Sequence, residues 1–196
     1  NDCIHIEWKD PVLDPAKFPI IYQREWVLDI LEHNNIDYDQ VLIVDIDTMI
    51  KWDTPNFFNL TNNNFTAIID NDNINWVTKS IKGYQHFFPD INIHWTEYFN
   101  SGFVIFHKKH KKVIYMQNNL KKGHDQTPLN YMVKQMGFDV NYLPKTFNLT
   151  HLQRKEILQD LMFIDCGYIW HFNGFDKNYR EPLMKQTWDK IKHNYE

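Results

Sequence analysis

The run Val41-Leu42-Ile43-Val44, broken off at once by Asp45-Ile46-Asp47, constrains this chain most. Consecutive apolar residues, three of the four β-branched, mark a strand buried on both faces of a parallel sheet. Phe65–Ile69 repeats the pattern and ends in Asp70, and Asn100-Ser101-Gly102 opens a third such strand through Phe106. The apolar set Ile21, Trp26, Val27, Ile30 and Leu31 predicts an amphipathic helix over about 21–34. Further helices are expected near 108–120, over Thr127–Met136 with Pro128 in its first turn, and near 181–193. Short strands are expected at 3–8, 139–143 and 167–172. Strands alternating with helices predict an α/β fold, a mostly parallel sheet flanked by helices. A length of 196 residues fits one domain, 1–196. In open α/β sheets ligands sit at the carboxyl ends of the strands, where this sequence concentrates its acids and small polar residues.

Composition removes several classes. The formal net charge is −4 and the lysines are interrupted by other residues, so no nucleic-acid partner is expected. The short run His107-Lys108-Lys109-His110-Lys111-Lys112 reads as a solvated helix start. No apolar stretch approaches the ~20 residues of a membrane span, so no transmembrane segment is expected, and no leader is evident. Two cysteines, Cys3 and Cys166, lack metal-type spacing and are too few for a disulfide framework; a cytoplasmic location is the expectation. Aromatic residues make up 16%, enough to fill a core and also to line a cleft that stacks bases or sugar rings. The Asn-x-Thr triplets at Asn59, Asn64 and Asn148 are ascribed to the abundance of Asn.

The candidate chemistry starts at Asp45 and Asp47. Two carboxylates leaving a buried strand together repel and lose water unless they are paired or hold a cation. An oxygen-rich site of this kind suits Mn²⁺ or Mg²⁺, and a solvated turn is the plain alternative. His171, in His171-Phe172-Asn173-Gly174-Phe175-Asp176-Lys177, is a candidate third metal ligand. Gly174 there allows close backbone approach to a phosphate, and Lys177 can offset its charge. Asn100 and Ser101 can hydrogen-bond sugar hydroxyls, with Gly102 leaving room for the ring; an ordinary turn into a strand is the alternative. Asp125 and Gln126 precede a helix, where they can orient a sugar or stabilise charge at its anomeric carbon, and Asp125 can equally be an N-cap.

Taken in order, these pieces resemble glycosyltransferases of the GT-A fold, especially the glycogenin-like group (family 8) and related bacterial and viral enzymes. The resemblance rests on Asp45-x-Asp47, Asn100-Ser101-Gly102, Asp125-Gln126 with Asn130, Leu143-Pro144 with Phe147-Asn148, and His171-x-x-Gly174-x-x-Lys177. It covers residues 20–178. It implies that Asp45, Asp47 and His171 bind Mn²⁺ (or Mg²⁺) together with a donor diphosphate, and that Gly174 and Lys177 contact the phosphates. It also implies that Asn100, Ser101, Gly102, Asp125 and Gln126 line the donor sugar and the reaction centre. The reaction implied is sugar transfer, with retention, from a nucleotide-sugar donor to a hydroxyl on a glycan, protein or lipid-linked acceptor. An inverting reaction would need a general base near the acceptor hydroxyl, for which Asp125 is the first candidate and Glu97 and His94 weaker ones. Asn178-Tyr179 stands where that group usually continues with Pro-Trp. The group also carries a base-binding strand well before Asp-x-Asp, and two βα units need on the order of ~60 residues; one short strand and one helix before Asp45 read as an N-terminally truncated or reduced version. Two other classes use the same acids: a phosphohydrolase or nucleotidyltransferase, and a non-catalytic sugar- or nucleotide-binding module of the same fold.

Overall fold

The computed structural model describes residues 27–70, 72–115, 124–150, 152 and 166–195. The strand expected at 3–8, the first part of the helix at 21–34 and the later part of the helix at 108–120 lie outside them. Along the described chain run α1 (Val27–His33), β1 (Gln40–Val44), β2 (Thr48–Ile50), β3 (Phe65–Ile69), α2 (Ile74–Tyr84), β4 (Phe99–His107), α3 (Lys112–Tyr115), α4 (Gln126–Gln135), β5 (Val140–Tyr142), β6 (Ile169–His171) and α5 (Lys177–Ile191).

The main sheet has the order β1-β4-β3-β5, and β2 pairs with β6 in a second, two-stranded sheet. β4 runs antiparallel to both β1 and β3, while β5 runs parallel to β3. β1, β3 and β5 thus share one direction, as expected for a mostly parallel α/β sheet, with β4 alone reversed among them. The sequence does not carry that distinction, because β4 is buried along its whole length whichever way it runs.

Side chains alternate across the sheet as the strand period requires. Ile43, Phe65, Ala67, Val104 and Phe106 face α2 and α4, where they meet Val77, Ile81, Leu129, Met132 and Val133. Phe103, Ile105 and Ile68 face the other way, onto Leu143, Phe147 and Ile169. Tyr131 ties the two helices by donating its hydroxyl to the Ile81 carbonyl at 2.9 Å.

Two irregularities position the site. Thr66 and Ala67 pair with Ile105 and Val104, but Ile68 pairs with Asn100, so the ladder skips residues 101–103 of β4. A bulge of this kind re-aims side chains at a strand end. Asn130 repairs the gap beside it: its Oδ1 accepts from Phe99 N at 2.8 Å and its Nδ2 donates to Phe99 O at 2.9 Å, standing in for a missing strand neighbour. The second is α5, which starts at Lys177 rather than 181, because Asp176 caps it by accepting from Asn178 N at 2.8 Å. Pro182 lies inside that helix. No helix among the described residues is long and apolar enough to cross a membrane.

Candidate metal centre

Asp45, Asp47 and His171 converge, each offering one ligand atom within 4.8 Å of the others. The chain reverses direction after β1: Thr48 donates from both N and Oγ1 to the Asp45 carbonyl, at 3.2 and 2.8 Å. Ile46 between the acids is 98% exposed, so the two carboxylates turn inward while the residue separating them turns out. β2 then pairs Thr48 with His171 across the small sheet, and Phe172 N donates to Asp47 O at 2.8 Å. His171 Nε2 comes to rest 3.2 Å from Asp47 Oδ1 and 3.5 Å from Asp45 Oδ2.

The orientation of the imidazole follows from a chain of bonds that begins at a backbone amide. Gly102 N can only donate, and it bonds Asn100 Oδ1 at 2.8 Å, which fixes that atom as oxygen. The Asn148 atom facing the same oxygen at 3.0 Å is therefore Nδ2, and its Oδ1 faces His171 Nδ1 at 2.9 Å. Nδ1 must carry a hydrogen, so Nε2 is presented to the two carboxylates. Nothing but a positive centre, a proton or a cation, fits between those three atoms. Neighbouring ligands of an octahedral cation with bonds near ~2.1 Å lie roughly 3 Å apart, close to the 3.2 and 3.5 Å observed. The donor set of one imidazole and two carboxylates suits a divalent metal cation. Where a proton fills that place, the hydrogen bond from His171 holds the Asp47 carboxyl below the usual carboxylate range, helped by the Arg180 charge and opposed by burial.

Gly102 closes the inner wall. A Cβ there would lie 2.5 Å from His171 Cε1, 2.6 Å from Asp45 Oδ2 and 2.8 Å from Asn100 Oδ1. The ligand residues themselves need the room it leaves.

The other expected residues fall into two groups. Asn100, Ser101 and Gln126 are braced against one another. Asp70 Oδ2 accepts from Asn100 Nδ2 at 3.2 Å and from Gln126 Nε2 at 2.7 Å, while Gln126 Oε1 accepts from Ser101 N at 3.1 Å. Asp125 is buried at the entry to α4, but its side chain makes no capping bond. Gly174, at φ 75, sits in the turn after β6, and Lys177 is the exposed first residue of α5. Arg180, one turn further along the same helix, donates to Asp47 Oδ2 at 2.6 Å.

Asp70, Asn148 and Arg180 were not among the expected site residues. For Arg180 a signal existed, since two converging acids call for a nearby cation and Arg180 follows Lys177 at helical spacing. Asn148 is fully buried, and its Asn-Leu-Thr triplet serves the brace on His171.

No protein family matches the sequence, and no curated protein does. Solved structures do. The WbbM bifunctional glycosyltransferase superimposes with a TM-score of 0.51 at 19% identity, over 80% of this chain and 32% of its own. A glycosyltransferase involved in glycosylation of the major capsid of PBCV-1 superimposes with a TM-score of 0.54 at 11% identity, over 92% of this chain and 81% of its own. This chain thus spans about a third of the first protein and about four-fifths of the second. At such identities the likeness is one of fold alone: the chain shares the fold of these two glycosyltransferases.

Proposed function

We propose that this protein is a metal-dependent glycosyltransferase, moving a sugar from a nucleoside-diphosphate donor to a hydroxyl acceptor with retention of configuration. The observation that carries the reading is the Asp45–Asp47–His171 group at a strand end of a glycosyltransferase fold, with Nε2 aimed at both carboxylates. A bound Mn²⁺ or Mg²⁺ supplies the charge that a departing diphosphate needs.

The chain's own residues do the rest. Asp45, Asp47 and His171 hold the cation, and Asn148 keeps the imidazole in the tautomer that presents Nε2. Lys177 and the turn at Gly174 are assigned to the phosphates. Asn100 and Gln126, both bonded to Asp70, and Ser101, bonded to Gln126, form a fixed polar wall for the donor sugar. Asp125 is assigned to orient the sugar or stabilise positive charge at its anomeric carbon. In the transfer the bond from the anomeric carbon to the phosphate oxygen breaks, the diphosphate leaves with the electron pair, and a bond to the acceptor oxygen forms as that hydroxyl passes its proton to the departing diphosphate oxygen. The likeness of fold supports this reading over a phosphohydrolase using the same acids.

The test is release of nucleoside diphosphate from a panel of nucleotide sugars, with Mn²⁺ and without metal. Turnover of one donor only with metal is expected; turnover that ignores metal removal would sink the mechanism.

A further inference from the structure

Arg180 is bound to the metal group without belonging to it. Its Nη1 lies 2.6 Å from Asp47 Oδ2, while Asp47 Oδ1 faces His171 Nε2 at 3.2 Å. One oxygen of this carboxylate thus serves the metal group and the other serves a guanidinium. Asp47 is nearly buried, but the Arg180 side chain is 31% exposed, so the guanidinium also has an open side. It is carried in the first turns of α5, beyond the Asp176 cap and the phosphate-assigned Lys177.

Two consequences follow from the charges. A cation held through Asp47 shares that carboxylate with Arg180, and two positive centres on one carboxylate repel. A diphosphate removes the repulsion, being negative and offering the fork of acceptors that a guanidinium pairs with twice over.

We propose that Arg180 is a diphosphate-binding residue that makes cation and diphosphate bind together: it competes with a lone cation for Asp47 and turns to the phosphate oxygens when both arrive. This rests on the reading of the site as one for a metal-bound nucleoside diphosphate.

The experiment uses the full chain and two probes. Binding of Mn²⁺ alone is followed by electron paramagnetic resonance, and binding of the preformed 1:1 Mn²⁺–pyrophosphate complex by calorimetry. Arg180→Gln should hold Mn²⁺ alone several-fold more tightly than wild type, unchanged affinity refuting the competition, and should hold the pyrophosphate complex about tenfold more weakly, the loss of a charge-assisted bidentate pair. Arg180→Lys should recover part of that loss, since it restores the charge without the fork. An unchanged affinity of Arg180→Gln for the pyrophosphate complex overturns the proposal, as does a parallel loss for both probes, which would mark a purely structural contact. Wild type and His171→Ala binding Mn²⁺ equally would instead overturn the metal centre itself, and this inference with it.

Discussion

A methyl group on residue 102 would sit 2.5 Å from His171 and 2.6 Å from Asp45, closer than packed atoms approach. Gly102→Ala should therefore push the ligands apart, lowering Mn²⁺ affinity by about tenfold or more, at a stability cost of about 1–3 kcal/mol. Calorimetric Mn²⁺ titration beside a urea melt checks both parts, and wild-type affinity in the variant would mean that the donor set lies elsewhere. Asn148 makes a second claim at this scale. Its Oδ1 fixes the hydrogen on His171 Nδ1, and loss of such an outer partner typically costs 10–100-fold in metal affinity. Asn148→Ala should fall in that range with little change in far-ultraviolet dichroism. The sequence showed Asn148 only as part of a weak pattern, because its partners Asn100 and His171 are 48 and 23 residues away. No local spacing encodes such a contact. Asp45, Asp47 and His171 were legible because each residue type bears its chemistry openly where an apolar run ends.

Elements add their own tests. The capped start of α5 carries Arg180 to Asp47. Removing the cap in Asp176→Ala should cost about 1 kcal/mol, seen as a lowered melting temperature. The turn after β4 should make stability depend on pH. The run His107–Lys112 was expected to be solvated, and Lys108 and Lys109 are exposed, but His107 and His110 are buried. His110 packs edge-on against Phe65 and Phe138 and accepts from His107 N at 3.1 Å. A charge run looks uniform in sequence, whereas one turn of 3₁₀ helix points every third residue the same way and returns His110 to the core. Burial, with the charges of His107 and Lys109 adding, lowers its pKa from 6.5 to about 4. The folded state thus keeps His110 neutral at a pH where the unfolded chain binds a proton. Its contribution to stability is complete above pH 6.5 and is lost as pH falls from 6.5 towards 4, roughly 2–3 kcal/mol across that window. His110→Phe should be flatter over the same range in urea unfolding; an identical slope would remove His110 as the source.

On the scale of the whole molecule, the α/β class and the placing of acids at strand ends were readable because apolar runs and helical periods report burial directly. Direction and pairing were not. β4 fits between β1 and β3 in either sense by composition alone, and β2 is only three residues long. Yet the pairing of Thr48 with His171 across that short ladder is what brings Asp47 to the imidazole. Arg180 reaches Asp47 across 133 residues, a separation that only the finished fold closes. The site thus depends on four separate stretches, 45–48, 100–102, Asn148 and 171–180, meeting at one end of the sheet. The most direct test of the account compares Mn²⁺-dependent release of nucleoside diphosphate from the accepted donor sugar by wild type, Asp47→Ala and His171→Ala. The account predicts metal-dependent turnover in wild type and its loss in both variants, with folded dichroism spectra throughout. Metal-dependent turnover at the wild-type rate in either variant would contradict it.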